Sequence, residues 1–135
     1  MLQLYFLSVA SNLIAGIILA SDWLVSRFAG LRPLVEFLSH RRARLTAGLG
    51  ALFVGLVTLL FPSRSPIILG DLAPSLAGVA MGVALLFEVL RQESLFPAEK
   101  EVPVGRGQIA YRTTLGMIGL ATAVVHFFLP ERIIL

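Results

Sequence analysis

Four side chains of this 135-residue chain carry polar or titratable groups within or at the edge of apolar stretches: Asn12, Asp22, Glu88 and His126. Such groups are the default candidates for an ion or proton path, because lipid makes an unneutralised charge costly. Asn12 has the chemistry to line a small polar passage or to hydrogen-bond across to a second helix. Asp22 and Glu88 have the chemistry to carry protons, or to pair with Arg27, Arg44, Arg91 or Arg112. His126 titrates in the range a proton sensor needs. The spacing favours packing and charge pairing over a pathway. No nucleophile, base and orienting partner fall at one depth, so no catalytic residue is assigned and the chain reads as a non-enzyme. The only other histidine, His40, falls on the opposite side of any membrane from His126, and cysteine is absent, so neither a metal nor a cofactor is expected.

The elements that position these residues follow from composition. The chain is 57% hydrophobic and 14% charged, too apolar to cover a soluble globule of its length. Four apolar stretches, about Leu4 to Val25, Leu45 to Phe61, Leu72 to Leu90 and Thr113 to Leu129, approach the ~20 residues that a helix needs to cross hydrocarbon. The first charge is Asp22, so the basic start of a cleavable signal peptide is missing and the first stretch reads as a retained helix. Pro62 is placed to end the second stretch and Asp71 to cap the third, with Pro74 tolerated in its first turn.

A sequence pI near 10.2 raises the question of nucleic acid, but the positions of the charges answer it otherwise. Arg27, Arg32, Arg41, Arg42 and Arg44 lie between the first two stretches, and Arg91, Lys100, Arg106 and Arg112 between the last two. Only Arg64 and Arg132 fall on the other side. This asymmetry places both long loops in the bacterial cytoplasm and both termini outside. Trp23 and Tyr111 then anchor the inner interface and Tyr5 the outer one. In the first loop, Leu31, Leu34, Val35, Phe37 and Leu38 alternate with charged residues, and Pro33 is placed to start a short helix. Such a piece lies along the inner leaflet, with Arg41, Arg42 and Arg44 offered to lipid headgroups or to a partner.

An internal repeat organises the whole. Arg44, Thr46, Gly48, Leu52, Val57, Pro62 and Arg64 recur 68 positions later as Arg112, Thr114, Gly116, Leu120, Val125, Pro130 and Arg132. The first and third stretches align at an offset of 62, which sets Ser8, Asn12, Gly16 and Ala20 on Gly70, Pro74, Gly78 and Gly82. Ala47, Ala51 and Gly55 make a matching ladder in the second stretch, and Leu115, Gly119 and Ala123 in the fourth. Residues four apart share a helix face, and small residues there let membrane helices approach closely. Asn12, Gly16, Ala20, Ala51, Gly55, Gly78, Gly82, Gly119 and Ala123 are therefore the expected packing residues. The expected fold is all-α: four transmembrane helices as two tandem hairpins, about 4–64 and 70–132, in one domain with pseudo-twofold symmetry.

The run from Arg44 through Gly48, the segment Leu59-Leu60-Phe61-Pro62, a brief loop and then Gly78 and Gly82 resembles the hairpin unit of HdeD-like membrane proteins. That resemblance implies glycine-bearing helix pairs and an association with acid resistance. Function is expected to lie in packing, as an accessory subunit of a membrane complex or as a homo-oligomer surrounded by lipid. A small ion or solute transporter is the alternative, and a lipid-binding or stress-response protein a second. No nucleic-acid partner is expected.

Overall fold

The computed structural model describes residues 2–61, 72–92 and 105–128, and every described element is helical. These are α1 (Leu2–Leu19), α2 (Ser21–Arg27), α3 (Arg32–Leu38), α4 (Arg41–Leu60), α5 (Leu72–Gln92) and α6 (Arg106–Phe128), with a single 3₁₀ turn at Ala29–Leu31 before α3. Two of them, α4 and α5, are long and apolar enough to cross a membrane, and the bent pair α1–α2 would make a third. At ~1.5 Å rise per residue, the 20 residues of α4 span the ~30 Å hydrocarbon thickness.

The long helices pack in a definite order. α4 lies most extensively against α5 and α1 against α6, while α1 also meets α4 and α5, and α5 meets α6. Among the described residues α4 and α6 do not touch. The core sits where α1 and α5 face each other, with Ala15, Ile18 and Leu19 against Ala77, Met81 and Leu85, and Ala51 of α4 closing one side.

Small residues bring these backbones together. A Cβ added to Gly82 of α5 would stand 2.6 Å from the backbone nitrogen of Leu52 and 2.8 Å from the carbonyl oxygen of Gly48. On the other side of the bundle, a Cβ on Gly116 of α6 would stand 2.6 Å from the Ala20 nitrogen and 2.8 Å from the Gly16 carbonyl oxygen of α1. No side chain fits at either place without the backbones moving apart. Of the expected packing residues, Gly16, Ala20, Ala51, Gly55, Gly78, Gly82, Gly119 and Ala123 are all buried, together with Asn12. Gly48 and Gly116, also buried, widen the ladders of α4 and α6 into broader small-residue faces.

The structure corrects the reading of the first apolar stretch as one helix from Leu4 to Val25. The helix breaks at Ala20, whose φ of −89° and ψ of 12° leave the helical region, and α2 departs at 77° to α1. The break lies where Gly116 presses on the Ala20 nitrogen. Hydrogen bonds from Ala20 to Gly16 and from Leu24 to Ala20 continue on either side, so the turn leaves few backbone groups unbonded. Asp22 therefore lies on α2, exposed, rather than near the end of a spanning helix. Pro33 does occupy the first turn of a short helix, α3, which buries Val35 and leaves Phe37 71% exposed.

The last helix also differs in extent. It begins at Arg106, seven residues before the expected Thr113, because its first two turns are polar and the apolar stretch marks only its later part. The proposed stop at Pro62, the proposed cap at Asp71 and the repeat position Pro130 lie outside the described residues, whereas Pro74 is in the first turn of α5 as expected.

The close approaches make a contrast measurable. Gly82→Leu and Gly116→Leu each force two backbones apart and should lower the unfolding midpoint in mild detergent, by at least the ~1–3 kcal/mol typical of overpacking. Gly50, in the same helix as Gly48 but with nothing within 4 Å of an added Cβ, should accept Ala with unchanged or slightly raised stability.

Candidate functional site

The arginines that begin the two repeat copies meet at one carboxylate. Arg112, in the second turn of α6, sets its Nε 2.5 Å from Oε1 of Glu88, and Arg44, in the first turn of α4, sets Nη1 4.0 Å from Oε2. The first is a contact ion pair and the second a looser charge contact. Each of the three side chains keeps less than a fifth of its surface exposed. Glu88 can stand between them because α5 runs on through Gln92, whereas α1 ends at Leu19 and its chain bends away. α4 and α6, which do not touch, are thereby linked through α5. One helical turn further along α5, Arg91 donates to Oε1 of Gln108 on α6 at 3.4 Å. Asp22, across on α2, is near enough for its charge to act on Glu88.

A second group of polar contacts lies at the other end of the bundle. Asn12 is 1% exposed, and its Nδ2 donates to the carbonyl oxygen of Pro74 at 2.9 Å. Its Oδ1 lies 2.9 Å from where a Gly78 Cβ would be, so the absence of a side chain at Gly78 makes room for the amide. Beside it, the buried Ser75 hydroxyl donates to Thr58 Oγ1 at 2.8 Å, and Thr58 in turn donates back to the carbonyls of Val54 and Gly55 on its own helix. α1, α5 and α4 are thus joined by a short run of neutral hydrogen bonds, each worth ~0.6 kcal/mol on average between membrane helices. Across the bundle, Tyr5 of α1 donates to the His126 carbonyl oxygen at 2.5 Å, and its ring stacks at a tilt on the buried imidazole, with centroids 4.8 Å apart.

The four candidate pathway residues do not converge. Asn12 engages α5, His126 engages Tyr5 near the far end of α6, Glu88 is held by arginines at the opposite end, and Asp22 is on the bend. The arginine cluster also divides: Arg44 turns toward Glu88, whereas Arg41 and Arg42 are exposed at the start of α4. Among the described residues no three His, Asp or Glu side chains are grouped as metal ligands would be. The Ser75–Thr58 bridge was not among the expected contacts. Its one sequence signal is Thr58, a hydroxyl late in an apolar helix, facing a serine that directly follows Pro74. What the arrangement does chemically is hold helices in register through the Ser75–Thr58 bridge and the Glu88 ion pairs, while Oδ1 of Asn12 and Nε of Arg44 are buried without a hydrogen-bond partner among the described residues.

Stability should follow the geometry of the ion-pair group. Glu88→Gln leaves two guanidinium groups without their carboxylate and should cost the most; Arg112→Gln removes the short contact and should cost ~1.5–3 kcal/mol, as hydrogen bonds to charged groups do. Arg44→Gln, losing only a 4.0 Å contact, should cost least. The double variant Glu88→Gln/Arg112→Gln should cost less than the sum of the two single changes, because neither side chain is then left charged alone. Chemical unfolding in detergent reads the order.

A family model matches residues 1–126, nearly the whole chain, and nothing in it bears on the HdeD-like resemblance. No curated protein and no solved structure matches the chain. On the breadth of the first match, the chain belongs to a family of unknown function.

Proposed function

We propose that the chain is a non-enzymatic, four-helix protein of the bacterial cytoplasmic membrane, a scaffold of two pseudo-symmetric hairpins that packs against other membrane subunits or a second copy of itself. The observation that carries this reading is the inversion of the bundle's surface. Large apolar side chains such as Phe6, Leu13, Phe53, Leu56, Val83, Phe87, Ile118 and Val124 face outward on all four long helices. The polar groups face inward and bond helix to helix. A water-soluble monomer rarely exposes apolar patches beyond a few hundred Å², whereas lipid or a partner helix requires them.

Three contacts support the pseudo-twofold relation. The pairings α4 with α5 and α6 with α1 exchange under it. Asn12 and Pro74, equivalent at the 62-residue offset, bond to each other, as residues on an axis would. Arg44 and Arg112, equivalent at 68, meet at Glu88. The four-span reading takes α1 and α6 as spans beside α4 and α5. α6, at 23 residues, is long enough to cross, and its mean hydropathy is lowered by Arg112 and His126, both of which have partners inside the bundle.

Topology is directly testable, because a chain without cysteine accepts single reporters. In right-side-out vesicles, an impermeant maleimide should label Phe61→Cys at once, and Ser39→Cys and Gly105→Cys only after permeabilisation; labelling of all three from one side would overturn the four-span arrangement. A photo-crosslinking residue at Phe53, exposed on α4, should yield an adduct with a second polypeptide in native membranes. A monomer that purifies in mild detergent with no adduct would remove the scaffold role.

A further inference from the structure

Between α5 and α6, at the Glu88 end of the bundle, a cleft of about 430 Å³ opens outward. Val83, Ala84 and Phe87 wall its apolar part, and Glu88, Gln108 and Arg112 form its polar end. It exists because α6 leans on α1 rather than on α5: Gly116 brings α6 against the α1 backbone, and Ala84 leaves the α5 wall thin.

We propose that this cleft binds one anionic membrane phospholipid, an acyl chain lying along Val83, Ala84 and Phe87 and the phosphate at Arg112 and Gln108. The inference rests on the membrane-embedded reading above. The order of chemistry along the cleft is the first argument. Moving from the middle of the bundle toward the loops, the walls change from apolar to polar, as a phospholipid does from chain to headgroup. Tyr111, 61% exposed at the polar end, marks the level at which amphipathic rings meet headgroups.

Charge is the second. Arg91, Arg106 and Arg112 stand at this end of α5 and α6, where Glu88 is the one carboxylate among the described residues of those two helices, with Asp22 of α2 near enough for its charge to act on it. Glu88 lies at the Nε edge of Arg112, and a guanidinium carries further donors on its two terminal nitrogens, through which arginine engages a phosphate by parallel hydrogen bonds. Arg91 is already turned toward this end by Gln108. A zwitterionic lipid would gain less, because its own cation opposes the arginines. Size is the third argument: the cleft falls within the ~300–1,000 Å³ of small-ligand sites and is too small for a further helix of ~10 Å diameter.

The test uses the full chain with Trp23→Phe and Phe87→Trp, so that its one tryptophan sits in the cleft wall. It is reconstituted in phosphatidylcholine vesicles carrying a low, equal mole fraction of either brominated phosphatidylglycerol or brominated phosphatidylcholine. Brominated phosphatidylglycerol should quench the cleft tryptophan at about five-fold lower mole fraction, the factor that ~1 kcal/mol per arginine near an anionic headgroup supplies. Ala84→Phe fills the cleft without changing charge and should abolish the preference. Arg91→Gln/Arg106→Gln, at the same end of α5 and α6 but outside the cleft lining, should reduce it while helicity is unchanged. Equal quenching by the two lipids, or a preference that survives both sets of changes, overturns the site. Maleimide accessibility of Ser39→Cys and Phe61→Cys in the same vesicles separates the outcomes. A normal labelling pattern with equal quenching removes the lipid site alone, and an altered pattern removes the membrane arrangement beneath it.

Discussion

Backbone-to-backbone contact at glycine is the constraint on which the rest of this bundle depends. In lipid there is no hydrophobic drive to push helices together, because the surrounding chains are as apolar as leucine, so association rests on van der Waals contact and a few hydrogen bonds. Gly48 and Gly82 set α4 and α5 at touching distance, and Gly16 and Gly116 do so for α1 and α6. Short side chains can bridge helices only at that separation. Asn12 reaches a carbonyl of α5 because Gly78 has no side chain, and Ser75 reaches Thr58 beside the place where Gly55 meets the Ser75 carbonyl. Even the bend at Ala20 falls where Gly116 presses on α1.

The polar contacts then fix what close packing leaves free. Smooth small-residue faces permit sliding, and a slip of one turn would cost little in dispersion alone. Glu88 held by Arg112 and Arg44 at one end, and Asn12, Ser75 and Tyr5 at the other, set the axial position of all four long helices. The two ends differ in kind. The neutral contacts lie toward one end of the bundle, and the charged group lies toward the other, where partial exposure moderates the cost of desolvating ions. The bundle is asymmetric there: α5 continues to Glu88, and α1 has already turned away into α2. The α5–α6 cleft opens on this same end.

Much of this was legible in the residues, and the remainder was hidden for identifiable reasons. The ladders of Gly and Ala at four-residue spacing named the buried faces, because helix periodicity and residue size are both local properties. Arg44 and Arg112 were among four arginines that depth alone allowed to meet Glu88; choosing between them needed the lateral order of helices, which no local pattern encodes. The break at Ala20 carries neither proline nor glycine and coincides with the contact to Gly116 of α6, so hydropathy read straight through it. The early start of α6 was missed because apolar length reports what lies in lipid, whereas the helix also includes the polar Arg106, Gly107 and Gln108. The Ser75–Thr58 bridge was missed because hydroxyls in membrane helices ordinarily bond back to their own backbone, as Thr58 also does.

The measurement closest to the central claim is disulfide closure across the glycine contacts in native membranes, in a chain that has no cysteine of its own. A Cβ on Gly48 would lie 3.1 Å from that of Leu85, close to the ~3.5–4.5 Å that a disulfide spans. Under mild oxidation, Gly48→Cys/Leu85→Cys should lose maleimide reactivity and regain it on reduction, while the outward-facing pair Phe53→Cys/Val83→Cys stays reactive. If the glycine pair does not close, or if the outward pair closes as readily, the helices do not meet at their small-residue faces and the account fails.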